Sequence, residues 1–129
     1  MLNIRQFITS NMRVLKTLGL VACMAFSQSV LAHAHLKSQT PAADATVAAS
    51  LSALSLTFTE NIEPAFSGVT LTLNGQTIST GNAVLDNGHK NTLLISLDKT
   101  LVSGSYQVNW HVLSVDGHKT TGSYRFNVK

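Results

Sequence analysis

The sequence predicts an all-β domain, an immunoglobulin-like Greek-key β-sandwich or barrel of about seven strands, over residues 33–129. Three observations predict it. Apolar residues recur with period two, turn-forming residues punctuate the runs, and nothing of helical period and useful length appears after residue 33. The segment is enough for one small domain and too short for two, and it shows neither linker nor internal repeat.

Leu54, Leu56 and Phe58 alternate with Ser55, Thr57 and Thr59, and Val69, Leu71 and Leu73 alternate with Thr70 and Thr72. Leu93, Ile95 and Leu97 continue the pattern. Tyr106, Val108, Trp110 and Val112 alternate with Gln107, Asn109 and His111, and Tyr124, Phe126 and Val128 close the chain. Each run reads as a strand with one apolar face. Asn74-Gly75, Thr80-Gly81-Asn82, Asp86-Asn87-Gly88, Ser103-Gly104 and Asp116-Gly117 read as breakers between strands. Tyr106, entering a core strand after the Gly104 corner, is similar to the tyrosine corner of immunoglobulin-like sandwiches, and Trp110 is expected in the core.

Residues 1–32 read as a cleaved secretory signal peptide: Arg5, Arg13 and Lys16, a short apolar stretch Leu18 to Phe26, and the small-residue signal Val30-Leu31-Ala32. The apolar run is about half a membrane span, so no stable membrane insertion is expected. A rival reading makes Leu20-Val21-Ala22-Cys23 a lipoprotein box; the stretch before Cys23 is short for that role. Three of the nine basic residues fall in the leader, whereas all six acidic residues fall in 33–129, so that segment is neutral with His uncharged. Nucleic-acid binding gains no support from the alkaline whole-chain pI. The only cysteine and all three methionines also lie in the leader, which removes disulfides and soft sulfur ligands.

Two places look chemical. Cleavage after Ala32 would expose His33, whose free amine and imidazole are both metal donors. Asp116-Gly117-His118 sets a carboxylate and an imidazole two residues apart in a turn, where Gly117 leaves them uncrowded. Hard oxygen beside borderline nitrogen suits Cu(II), and His33 would complete a tetragonal N/O set. Taken alone, Asp-Gly-His is more often simply a turn, because Asp and Gly are what turns demand, and periodicity does not say whether the two places meet. His35 offers an alternative ligand, since a free terminus with His third can wrap Cu(II) through its backbone amides. That mode loses ground if the first strand starts near Leu36. His89 and His111 read as solvated. No nucleophile–base pair or phosphate-cradling loop is evident.

HAHLKSQTPAA from His33, LTFTEN from Leu56, FSG from Phe66, GSYQVNW from Gly104, SVDGH from Ser114 and GSYRF from Gly122 together resemble the periplasmic copper-resistance protein C (CopC) family, nearest its YobA-like branch. The resemblance implies an immunoglobulin-like sandwich, periplasmic residence and one Cu(II) per monomer, held by His33 (amine and ring nitrogen), Asp116 and His118. Glu60 falls on a family acidic position. By strand parity it is either an inward acceptor that orients a ligand or a solvated strand-end carboxylate. Relatives with a methionine-rich loop take Cu(I), and the absence of methionine after residue 32 favours a Cu(II)-only protein.

The functional expectation is a non-enzymatic, monomeric copper carrier or buffer in copper homeostasis or resistance, with an inner-membrane copper transport protein as partner. The alternative is a histidine-brace copper enzyme of the monooxygenase type. Against it, Asp116 as a ligand fills a position that oxygen activation prefers open. A third reading is a metal-free sandwich that binds protein partners.

Overall fold

The computed structural model describes residues 33–129; the signal peptide assigned to residues 1–32 lies outside the described residues. The described strands are β1 (Leu36–Thr40), β2 (Thr46–Val47), β3 (Ala53–Phe58), β4 (Gly68–Leu73), β5 (Gln76–Ile78), β6 (Thr80–Asp86), β7 (His89–Leu97), β8 (Gly104–Leu113) and β9 (Lys119–Val128). A short 3₁₀ turn, Pro64–Phe66, follows β3. One sheet runs β1-β3-β7-β6 and the other β2-β9-β8-β4-β5. Neighbours are antiparallel, except that β2 lies parallel to β9.

Period two built this sandwich. Leu54, Leu56 and Phe58 of β3 face Tyr106, Val108, Trp110 and Val112 of β8 and Phe126 of β9 across one buried core. Phe58 meets the Trp110 ring edge-on at 5.1 Å, and Tyr106 stacks on Phe126 at 5.5 Å. Each such side chain taken out of water contributes roughly 1.5–3 kcal/mol. The Tyr106 hydroxyl donates to the Val102 carbonyl at 2.8 Å, closing the corner that the sequence predicts. Gly122 lies directly under the Trp110 ring, where a Cβ would come within 2.6 Å of Trp110 Cε2.

The strand count exceeds seven because β2 and β5 are two and three residues long, too short to display a period. The breaker Thr80-Gly81-Asn82 proves to be part of β6. Its pairing with β7 shifts between Thr80 and Ala83, and this bulge absorbs the irregular residues. Gly81 fits because its missing side chain lets the backbone approach Ser96, whose Cβ would be 3.3 Å from an added Cβ.

The topology gathers three chain segments at one end. Leu36 pairs with Phe58, so the residues before β1 lie where β3 finishes. Thr57 pairs with Thr92, which brings the β6–β7 hairpin to that end. A bridge between Ile62 and Ser114 brings the β8–β9 hairpin there as well. Among the described residues no helix is long and apolar enough to cross a membrane.

Candidate metal centre

Ser114 to His118 form the turn between β8 and β9. The Gly117 amide donates to the Ser114 carbonyl at 2.9 Å, and the Ser114 amide to the His118 carbonyl at 2.9 Å. Gly117 has φ 93°, the left-handed region that a side chain would resist. Ser114 is buried, and its hydroxyl donates to Asp116 Oδ1 while accepting from the His118 amide at 3.3 Å. The other carboxylate oxygen, Asp116 Oδ2, lies 3.1 Å from His118 Nδ1. The Ser114 hydroxyl first, and His118 second, hold the Asp116 carboxyl below its ordinary pKa of 3.8.

His33 reaches this turn because its segment is tied down from the bend after β3 and from β9. The Thr59 amide donates to the His35 carbonyl at 2.9 Å, and the Thr59 hydroxyl to the His33 carbonyl at 3.3 Å. The Thr120 hydroxyl, on β9, donates to the carbonyl of buried Ala34 at 2.7 Å. The His33 ring therefore lies edge-on to the His118 ring, with centroids 4.8 Å apart. Its Nδ1 is buried without a hydrogen-bond partner. A buried polar atom left unpaired is costly, and a metal ion would satisfy it.

The structure brings His33, Asp116 and His118 together in this way. His35 is exposed, its ring 6.4 Å from that of His33, and its amide donates to Thr59 Oγ1 at 2.9 Å. β1 does start at Leu36, so the amides that the alternative wrapping mode needs adjoin a sheet. Glu60 is half-buried, and among the described residues it forms no hydrogen bond with His33, Asp116 or His118. His111 is exposed on the outer face, its imidazole over Gly68, and His89 is exposed beside Asp86.

Among the described residues, no three His, Cys, Asp or Glu side chains converge on a single metal-sized point. One donor of the expected set is the His33 amine, a backbone atom, and the Asp116 carboxylate is turned onto Ser114 and His118. The spacing within the Asp116–His118 pair nevertheless suits a metal. Two ligands at about 2.0–2.2 Å from one ion, in neighbouring positions, lie about 3 Å apart.

Three supporting residues escaped the sequence reading: Ser114, Thr59 and Thr120. Ser114 carries a local signal, a hydroxyl two residues before a turn aspartate. Thr59 and Thr120 carry none, since they act on a segment distant in sequence.

Fold and site together define a class: a small two-sheet β-sandwich with imidazole and carboxylate donors gathered at one end. The CopC domain matches residues 36–129, and the chain belongs to the CopC family. That match takes in Asp116 and His118 and begins after His33. The chain is 42% identical over 113 residues to Protein YobA of Escherichia coli strain K12, covering 87% of this chain and 91% of that protein. It is 36% identical over 124 residues to Copper resistance protein C of Escherichia coli, covering 91% and 96% respectively. Its structure is similar to that of CopC from Methylosinus trichosporium OB3b, with TM-score 0.70 and 33% identity over 75% of this chain and 94% of that one. It is also similar to PcoC, a methionine-rich copper resistance protein from Escherichia coli, with TM-score 0.69 and 34% identity over 76% and 100%. Unlike a methionine-rich relative, this sequence has no methionine in residues 33–129.

Proposed function

We propose that this protein is a periplasmic Cu(II) carrier or buffer serving copper homeostasis or resistance. It binds one Cu(II) per monomer through the His33 amine and ring nitrogen, Asp116 and His118, once the leader is removed after Ala32. The observation that carries this reading is the unpartnered, buried Nδ1 of His33 beside His118, which is itself paired with Asp116. The kinship with copper resistance proteins supports the metal assigned. Imidazole, amine and carboxylate favour Cu(II), and the lack of sulfur donors after residue 32 disfavours Cu(I).

In this reading the fold positions donors and performs no bond chemistry. Ser114 holds Asp116 ionised beside His118, while Thr59 and Thr120 hold the segment that carries His33. Glu60 belongs to the surroundings of the centre rather than to its ligands, and His35 stays outside it. The protein acts as a monomer and passes its ion to an inner-membrane copper transport protein.

The test compares protein beginning at His33 with protein carrying one extra residue before it. The first should bind one equivalent of Cu(II) with a nitrogen-rich EPR signal, lost on acidification as the donors protonate. The extended protein should lose that tight binding, because its His33 nitrogen is an amide. Tight stoichiometric binding that persists in the extended protein overturns the assignment.

A further inference from the structure

The β6–β7 hairpin repeats the chemistry of the β8–β9 turn. Asp86 and His89 face each other across a two-residue connection, Asn87-Gly88, in which Gly88 has φ 85°. His89 Nδ1 lies 3.2 Å from Asp86 Oδ2, against 3.1 Å for the same atoms of His118 and Asp116. Both hairpins thus set one carboxylate oxygen and one imidazole nitrogen at the spacing of neighbouring ligands on one ion, about 3 Å. Both use a left-handed glycine to do it.

The two hairpins also flank one segment. The Ile62 amide donates to the Lys90 carbonyl at 2.9 Å, while Ile62 is bridged to Ser114 and the Val115 amide donates to the Asn61 carbonyl at 3.0 Å. The Asn91 side chain donates to the Phe58 carbonyl at 3.0 Å, fixing the start of β7 against the end of β3. The sequence alone makes His89 a solvated loop histidine. Its placement gives it a partner and puts both on the same end of the sandwich as His33.

We infer that Asp86 and His89 form a second, weaker divalent-metal site that takes Cu(II) by the same oxygen–nitrogen donor pair. Both side chains are exposed, so water fills the remaining coordination positions and the ion exchanges readily. The adjacent cation Lys90 ranks it below the first centre, where the His33 ring stands beside the Asp116–His118 pair. The inference does not depend on the His33 centre, since the two sites share no ligand.

The experiment is a titration of ¹⁵N-labelled protein beginning at His33 with Cu(II) alone, read by paramagnetic broadening of amide signals. The first equivalent should broaden residues around His33 and His118, and the second those of Asp86–Lys90. His89→Ala should abolish only the second effect, and Asp86→Asn should weaken it. His118→Ala should remove the first effect and leave the hairpin response in place. Hairpin signals unmoved by a second equivalent, or equally broadened in His89→Ala, would overturn the second site. Loss of the hairpin response in His118→Ala would overturn its independence. Failure of the first centre would show separately, as a first equivalent that leaves the His118 region sharp.

Discussion

Two glycines face similar rings and should respond oppositely to a methyl group. In Gly122→Ala the new Cβ would collide with Trp110 Cζ2 and stand 2.6 Å from Cε2 and 2.9 Å from Nε1. The ring cannot retreat, because Trp110 is 9% exposed and packs against Phe58 at 5.1 Å. In Gly68→Ala the new Cβ would stand 2.7 Å from His111 Cε1. That imidazole is exposed and free to rotate outward. Overpacking a tight core costs about 1–3 kcal/mol, which for a domain of this size lowers Tm by roughly 5–20 °C. Gly68→Ala should stay within about 0.5 kcal/mol of wild type, as surface substitutions do. Thermal unfolding of metal-free protein, followed by circular dichroism and Trp110 emission, measures both. Equal Tm values for the two variants would refute the close packing of Trp110 on β9.

The same structure yields predictions at the ionisable groups and ligands. Asp116 is held below the usual carboxylate range, so its contribution to stability is complete above pH 3.8 and is lost as pH falls through its lowered folded pKa. Ser114→Ala should move that loss to higher pH in a carboxyl ¹³C titration of metal-free protein; an unmoved Asp116 titration would exclude Ser114 as the main cause. Burial pushes the Tyr124 phenol up to about 12, so its contribution is complete below its ordinary pKa of 10.0 and is lost as pH rises toward 12. A phenolate ultraviolet titration, assigned with Tyr124→Phe, checks this, and ionisation of Tyr124 near pH 10 in folded protein would contradict it. Cu(II) titration should show tight binding of the first equivalent largely retained in His35→Ala and abolished in His118→Ala; the reverse order would favour the terminal wrapping mode.

Much of the fold was legible because alternation is a local property. A strand with one buried face writes its period into a few consecutive residues, as Leu54 to Phe58 and Tyr106 to Val112 do. β6 was not legible, because its Gly81 and Asn82 have turn chemistry and only the bulge against β7 admits them to a sheet. β2 gave no signal for a different reason: at two residues it is too short to display a period. At the candidate centre the donor types could be read directly, whereas the anchors Thr59 and Thr120 look like any other strand threonine.

The sandwich class, the absence of sulfur donors after residue 32 and the identity of the candidate donors all depend on residue type and short-range order, so they can be read from the chain. The folded arrangement is what makes His33 meet His118, although the two lie at opposite ends of the domain sequence. That meeting depends on hydrogen bonds from Thr59 and Thr120 to the His33–His35 segment. It likewise decided that Asp86 and His89 share an end with Asp116 and His118. Pairing register and chain direction across two sheets set those distances, and neither is a property of any single segment.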